Sequence, residues 1–251
     1  MSPSLLFTTD STSPGIRERE FTVDGVPGVL WSPASEDAHR APLVLMAHGG
    51  GRHRKHQSMA GRASRLVADQ GFHVAVLDLP AHGDRPRSAH DEAEIAEMHR
   101  ARQAGESVAP VAIRWNAHLA EIAAPEYRAL LDALQALPEI GPDGPVGFVG
   151  LALGTAIGIP YVASDPRITA AVFGLHWPDE LAAHARRITV PVQYAMQWDD
   201  EVIPREASLA LFDAFASPAK TLHANAGRHM AYPRFEEADS AARFLARHLT
   251  H

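Results

Sequence analysis

Two kinds of hydrophobic pattern alternate along the chain. Short apolar runs, typical of strands buried on both faces of a sheet, are separated by stretches in which apolar residues recur every three or four positions, as in helices. The predicted strands are Arg17–Val23, Val29–Ser32, Pro42–Ala47, His73–Leu79, Val146–Val149, Thr169–Leu175, Val190–Met196 and Lys220–Ala224. The predicted helices are 57–70, Leu119–Leu137, 153–158, Pro178–Arg187, Pro204–Phe215 and Phe235–Leu249. This alternation predicts an α/β fold with a mostly parallel central sheet and helices on both faces.

Two segments depart from this alternation. Residues 1–16 are polar, and we expect a loose N-terminal arm there. Residues 86–117 are rich in charges and histidines and are longer than a simple strand-to-helix connection. This segment is either a helical cap inserted over a pocket or a solvated helical excursion. No repeat and no domain boundary is evident, so we expect one domain over 1–251.

Composition narrows the class of protein. The chain has 251 residues, of which 46% are hydrophobic and 21% charged, as in ordinary globular domains. A formal charge of −7 argues against a general nucleic-acid binder, although residues 52–56 are locally basic. The absence of cysteine excludes disulfides and thiolate nucleophiles. No stretch approaches the roughly 18 apolar residues of a membrane span, and no basic leader is evident. We expect a cytoplasmic protein that does not associate with membranes.

The most informative stretch is Val146–Gly158, which reads VGFVGLALGTAIG. An apolar strand reaches Gly150, a sharp turn follows, and small helix-compatible residues begin at Leu153. Glycines two residues before and after Ala152 match the nucleophile elbow G-x-S-x-G, in which a strained turn holds a serine above the sheet edge. Alanine stands at the serine position, so the pattern of a nucleophile site is present without the attacking oxygen.

Further polar motifs follow other predicted strands. Gly49, Gly50 and Gly51 come after His48, an acidic pair stands at Asp199 and Asp200, and His229 follows the last strand. Open α/β sheets bind ligands at the carboxyl ends of their strands, so we expect these motifs to meet. Their chain order is elbow, acid, histidine.

With these motifs, and with Pro80-Ala81-His82-Gly83, the chain resembles the α/β-hydrolase fold over residues 17–250. It is most similar to dienelactone hydrolases and small serine esterases. The resemblance implies a catalytic triad at position 152, Asp200 and His229. The acid is assigned to Asp200 because Asp200-Glu201-Val202-Ile203-Pro204 fits the family's spacing, with Asp199 as the alternative. Implied oxyanion-hole donors are the amides of Gly50 and Leu153.

Other candidate contacts are less specific. Gly49 and Gly51 are expected to approach the substrate closely, because glycine leaves room beside its backbone. Trp177 and Trp198 are candidates for lining a substrate pocket, with core packing as the alternative. His48, His53, His56 and His82 lack the spacing of a zinc motif, so we expect neither a metal nor a cofactor.

Ala152 admits two explanations. In the first, the natural enzyme has serine there, and this chain is an inactive nucleophile-to-alanine variant of an enzyme that hydrolyses a small carboxylic ester or lactone through an acyl-enzyme. In the second, the chain is a natural non-hydrolytic member, either a lyase or cyclase using His229 as a base or a ligand-binding pseudoenzyme. Drift after loss of catalysis should also erode Asp200, His229 and the glycines. Their retention favours the first explanation. The oligomeric state is not indicated.

Overall fold

The computed structural model describes residues 3–35 and 40–250. Ten strands within these residues form one mixed sheet. In chain order they are β1 (Leu5–Phe7), β2 (Ser11–Ser13), β3 (Ile16–Val23), β4 (Val26–Pro33), β5 (Leu43–Ala47), β6 (His73–Leu77), β7 (Val146–Gly150), β8 (Ile168–Gly174), β9 (Val192–Gln197) and β10 (Lys220–Asn225). The order across the sheet is β1-β3-β4-β6-β5-β7-β8-β9-β10, and β2 pairs with β3. Strands β5 to β10 are parallel, whereas β1 to β4 pair in antiparallel fashion.

Helices cover both faces of this sheet. They are α1 (Gln57–Gln70), α2 (Ala89–Ala104), α3 (Ala109–Gln135), α4 (Leu153–Val162), α5 (Ala182–Ala185), α6 (Arg205–Ala214) and α7 (Arg234–Leu249). Alternate residues of β5 point to opposite faces. Leu43 and Leu45 join the core formed with α3 and α4, and Val44 and Met46 join the core formed with α1 and α7. The predicted α/β fold, with a mostly parallel sheet between two helical layers, is confirmed.

The N-terminal segment differs from expectation. Residues 1 and 2 lie outside the described residues, but β1 and β2 both pair with β3. Phe7 packs edge-on against Phe21 with ring centroids 6.2 Å apart, and the Arg19 guanidinium lies 4.4 Å from the Phe7 centroid. The prediction of a loose arm is therefore wrong for the described part. Three-residue strands are too short to give a clear alternating pattern.

The helix predicted over Pro178–Arg187 is also shorter than expected. Only Ala182–Ala185 is α-helical. Glu180 has a φ of 46°, and this left-handed conformation cannot continue a right-handed helix. The amphipathic pattern extended across this break, which the sequence does not mark with glycine.

The segment 86–117 contains α2 and the first turns of α3. Ser88 caps α2 by accepting a hydrogen bond from the Asp91 amide at 3.2 Å, and the Asp91 carboxylate accepts the Ser88 amide at 2.8 Å. Helix α3 begins at Ala109, ten residues before the predicted Leu119. The proline in its first turn is compatible with this start, because its missing N–H has no partner there in any helix. Trp115 of α3 donates its indole N–H to Asp91 at 2.9 Å, which ties the two helices together. No helix in the described part of the chain has the length and apolarity needed to cross a bilayer.

Close backbone packing surrounds the turn between β7 and α4. A Cβ added to Gly150 would overlap the carbonyl group of Gly154, and one added to Gly154 would overlap the carbonyl of Ala47 on β5. Because both obstacles are backbone atoms, they cannot swing away as a side chain can. The two glycines therefore let α4 start directly against β7 and its neighbour β5.

We predict that Gly154→Ala lowers the free energy of unfolding by about 1–3 kcal/mol, the usual cost of overpacking. Urea denaturation measures this change. Gly61→Ala is the matched control, because Gly61 is an exposed residue of α1 with no atom within 4 Å of an added Cβ. It should stabilise the protein by about 0.5–1 kcal/mol through helix propensity. Equal effects at the two positions would contradict the packing argument.

Candidate active site

Ala152 occupies a strained turn between β7 and α4. Its φ of 54° and ψ of −117° are unusual for any residue with a side chain, and such conformations cost about 1–3 kcal/mol. The Ala152 amide donates to Gly174 O at 3.0 Å. Thr155 Oγ1 lies 2.8 Å from Gly150 O and accepts the Gly174 amide at 2.9 Å. Backbone and Thr155 contacts thus hold the turn, and none of them uses the Ala152 side chain.

Asp200 and His229 meet at the same edge of the sheet. His229 Nδ1 lies 2.8 Å from Asp200 Oδ2, and the other carboxylate oxygen accepts the amides of Val202 and Ile203 at 2.8 Å each. Burial alone would raise the pKa of Asp200, but the hydrogen bonds from His229 and these amides outweigh it and lower the pKa. An ionised carboxylate only accepts, so in the neutral form of the His229 ring the proton lies on Nδ1 and Nε2 is left as an acceptor.

The neighbouring acids lie elsewhere. Asp199 has a side chain 62% exposed and faces Arg205, whereas the Asp200 side chain is 1% exposed. The Glu201 carboxylate accepts the His229 amide at 3.0 Å, which joins the acid loop to the histidine loop. Gly227, with a φ of 116°, lets the loop that carries His229 turn back toward β9. The structure therefore pairs Asp200, and not Asp199, with His229.

His48 supports the glycine loop that follows β5. Its Nε2 accepts the Leu79 amide at 3.1 Å, so Nδ1 carries the proton and donates to Gly49 O at 3.0 Å. Burial lowers the pKa of His48 to about 4, and the side chain is therefore neutral near pH 7. The His82 ring lies against it at 5.5 Å and stacks on Trp115 at 5.8 Å. Sequence reasoning set His48 and His82 aside as metal ligands on their spacing, but it did not predict that they support this loop.

Two backbone amides near the elbow have no acceptor among the described residues. Leu153 is the first residue of α4, where helical N–H groups lack intrahelical partners. The Gly50 amide, in the loop after β5, likewise donates to no described group. An added Cβ at Gly50 would meet no atom within 4 Å, and Gly51 has a φ of 71°. Gly49 packs beside Leu151, so the loop and the elbow are neighbours.

An apolar cluster lies against Ala152. Its buried members are Ala112, Leu175, Trp177 and Ile203. Its partly buried members include Met98, Ile113, Ala152, Val202 and Tyr232. A groove of about 780 Å³ adjoins this cluster and shares Ile113, Trp177 and Val202 with it. Helices α2 and α3 thus supply Met98 and Ile113, which sequence reasoning missed because neither carries reactive chemistry.

The structure separates the two candidate tryptophans. Trp177 is in the apolar cluster, and its carbonyl accepts from Nδ1 of the buried His176 at 3.1 Å. Asn116 of α3 bonds His176 Nε2 at 3.1 Å, which fixes this wall of the pocket. Trp198 is instead 42% exposed, with the Arg205 guanidinium 4.0 Å from its ring centroid. It is not a member of the cluster around Ala152.

Metal ligands do not converge in the described part of the chain, where no group of three histidine, aspartate or glutamate side chains is placed to hold an ion. The polar groups that the described chain brings to this edge of the sheet are an imidazole, a carboxylate bonded to it and two backbone amides without acceptors.

Comparison with solved structures defines the class. The fold matches that of solved α/β-hydrolase esterases. A cold-adapted esterase from an Arctic intertidal metagenomic library, solved in complex with polyethylene glycol, is 31% identical over 99% of this chain and 100% of its own, with a TM-score of 0.75. The chain belongs to the same family as this esterase. No protein-family model matches the chain, and no curated protein does.

More distant structures share the fold alone. Acetyl xylan esterase 1 from a Thermoanaerobacterium species is 16% identical over 98% of this chain and 88% of its own, with a TM-score of 0.70. A predicted CIB-like hydrolase from Thermoplasma acidophilum is 15% identical over 95% of this chain and 100% of its own, with a TM-score of 0.64.

The buried histidines should make stability depend on pH. Burial lowers the pKa of His48 and of His176 to about 4, below the ordinary value of 6.5. Between these values the unfolded chain binds protons that the native protein does not, so the unfolding free energy falls as pH decreases from 6.5 to 4. We expect a loss on the order of 3 kcal/mol per histidine, from about 1.4 kcal/mol per pKa unit.

Urea unfolding at pH 7, 6, 5 and 4.5 measures this loss. His176→Gln should weaken the pH dependence, and His99→Gln, at an exposed position of α2, should leave it unchanged. A wild-type unfolding free energy that does not change from pH 7 to 5 would contradict the role of these two histidines.

Proposed function

We propose that this is a serine-hydrolase-type site for a carboxylic ester or lactone, in which Ala152 replaces the nucleophilic serine. The observation that carries the proposal is the hydrogen bond of 2.8 Å between His229 and a buried Asp200, beside a strained elbow. Membership in an esterase family supports the reaction class. The chain as given is inactive in hydrolysis because a methyl group can neither attack a carbonyl nor pass on a proton.

With serine at position 152, the residues have defined tasks. His229 Nε2 takes the hydroxyl proton as the oxygen attacks the ester carbonyl, and Asp200 stabilises the imidazolium that results. Collapse of the tetrahedral intermediate expels the alcohol, which receives the proton from His229. Water, activated by the same imidazole, then hydrolyses the acyl-enzyme and releases the acid.

The amides of Gly50 and Leu153 are the proposed oxyanion-hole donors. Both lack acceptors in the described chain and flank the elbow. The neutral His48 holds the loop by its bond to Gly49 O, which keeps the donors in place before substrate binds. Each such donor contributes on the order of 10²–10³ in turnover.

The proposed substrate is a small ester or lactone. The apolar cluster that includes Ile113 and Trp177 would hold one half of it, with Gly49 and Gly51 beside the reacting carbonyl. Segment 86–117 then serves as a partial cap, because Met98 and Ile113 come from it. A dienelactone-hydrolase-like specificity and a cytoplasmic location remain parts of this proposal, and the lack of cysteine suits the latter.

We predict that Ala152→Ser raises hydrolysis of 4-nitrophenyl acetate and butyrate by on the order of 10³-fold or more, because it restores the acyl-enzyme route. Release of 4-nitrophenolate measures the rate. Intact-mass analysis after treatment with a fluorophosphonate should show one adduct on the Ala152→Ser protein and none on the parent. His229→Ala in the Ala152→Ser background should lose the gain.

A correctly folded Ala152→Ser protein that neither hydrolyses these esters nor reacts with the fluorophosphonate would overturn the proposal. Turnover of a lactone or ester by the unchanged chain, lost on His229→Ala, would support a non-hydrolytic lyase or cyclase instead. Ligand binding without turnover in both forms would identify a binding protein.

The acidic pair provides a matched test of the triad. In the Ala152→Ser background, Asp200→Asn should lower kcat by on the order of 10⁴-fold, because the imidazole loses its partner and its tautomer. Asp199→Asn should change kcat less than about threefold, since Asp199 is exposed beside Arg205. The reverse order of effects would assign the acid to Asp199.

A further inference from the structure

Asp78 is a fully buried carboxylate next to the glycine loop, the segment 48–56 between β5 and α1. It directly follows β6, which is the parallel neighbour of β5, with Val76 paired to Met46. The loops that leave these two strands therefore start side by side. A carboxylate without exposure to water is costly unless several donors surround it, so the partners of Asp78 define what it does.

Two backbone amides and one guanidinium donate to this carboxylate. Oδ1 accepts the Arg54 amide at 2.7 Å, whereas Oδ2 accepts the Asp84 amide at 3.0 Å and Arg54 Nη1 at 2.5 Å. Gly83, with a φ of 60°, passes so close that an added Cβ would overlap the carboxylate. Asp78 thus fixes the path of the backbone both in its own loop and in the glycine loop.

The glycine loop is held at both ends to the loop after β6. At its start, His48 Nε2 accepts the Leu79 amide at 3.1 Å, and at its end Arg54 binds Asp78. Between these contacts, residues 50–52 form no backbone hydrogen bond within the described chain. The position of the Gly50 amide therefore depends on the two ends of the loop.

The carboxylates around Arg54 differ in burial. Its Nη1 also donates to Asp84 at 2.7 Å, and its Nη2 donates to Glu20 of β3 at 2.9 Å. The Asp84 side chain is 70% exposed, and that of Asp78 is 0% exposed. Water can replace an exposed partner at little cost, but it cannot replace a buried one. Asp78 is therefore the acid of this cluster whose loss should displace the glycine loop.

We propose that Asp78 is a positioning residue for the oxyanion hole, because it holds the Arg54 end of the loop that carries the Gly50 amide. The inference rests on the proposed hydrolytic function. An oxyanion donor acts because it is in place before charge develops on the carbonyl oxygen, so a displaced loop loses part of its effect. The loss should appear in kcat, since the ground-state carbonyl gains much less from such a donor.

Asp78→Asn tests this role, with Asp84→Asn as the matched control. The amide of asparagine would turn an NH₂ group toward donors that now share Oδ2. In the Ala152→Ser background, Asp78→Asn should lower kcat on 4-nitrophenyl butyrate by on the order of 10–10²-fold, with little change in KM. Asp84→Asn should change either constant by less than about threefold, because its carboxylate is exposed.

Counting the rate per reactive site separates positioning from folding. A fluorophosphonate labels folded sites, so a purely structural role would reduce the labelled fraction and leave kcat per labelled site unchanged. Arg54→Lys is a second variant, which keeps the backbone bond to Asp78 and the positive charge but loses the planar fork. It should lower kcat per labelled site by about three- to tenfold. An unchanged kcat per labelled site in the folded variants would overturn the proposal.

Hydrogen exchange tests the loop without any catalysis. In the chain with Ala152, peptides spanning 49–56 should exchange about tenfold faster in Asp78→Asn than in the parent or in Asp84→Asn. Unchanged exchange would overturn the proposal. If Ala152→Ser is active but Asp78→Asn leaves its kcat intact, the hydrolase proposal stands and the role of Asp78 falls. If Ala152→Ser is inactive, both fall, even where exchange shows that Asp78 holds the loop.

Discussion

The contact between the backbones of β5, β7 and α4 is the constraint on which the site depends. Gly150 and Gly154 allow this approach because any Cβ there would overlap a carbonyl group of the neighbouring segment. The approach fixes the turn at Ala152, and the turn fixes which amides are left without acceptors. The loop after β5 is then held beside the elbow by His48, and the loops after β9 and β10 bring Asp200 and His229 together. A parallel sheet makes this convergence possible because the strands β5, β7, β8, β9 and β10 all end at one edge.

Much of this arrangement could be predicted because it depends on local patterns. Glycines at fixed spacing mark the elbow. The family's spacing between acid and proline, matched from Asp200 to Pro204, favoured Asp200 over Asp199. What the sequence did not reveal depends on tertiary contacts. Glu180 breaks a predicted helix through a backbone conformation that no glycine marks. Met98 and Ile113 join the apolar cluster that includes Ala152 only because α2 and α3 fold back over the sheet.

The elbow also bears on how function is inferred from fold. The turn at residue 152 is held by bonds from its own amide and by Thr155, so none of these contacts requires an oxygen on the side chain of residue 152. Similarity to an esterase, even over the full length of both chains, therefore reports the architecture around the reacting atom and not the atom itself. Under the proposed mechanism, one side chain, that of residue 152, decides whether this chain hydrolyses an ester.

The buried histidines give the site a further property. His48 and His176 act as neutral hydrogen-bonding groups, and both keep that form in the native protein down to a pH of about 4. The glycine loop and the pocket wall beside Trp177 are therefore insensitive to acid over most of the physiological range. Below a pH of about 4, protonation of His48 would remove the acceptor of the Leu79 amide at Nε2. It would also place a positive charge on a buried side chain. Acid should thus act on the stability of the whole domain, because the unfolded chain binds protons that the native His48 and His176 do not.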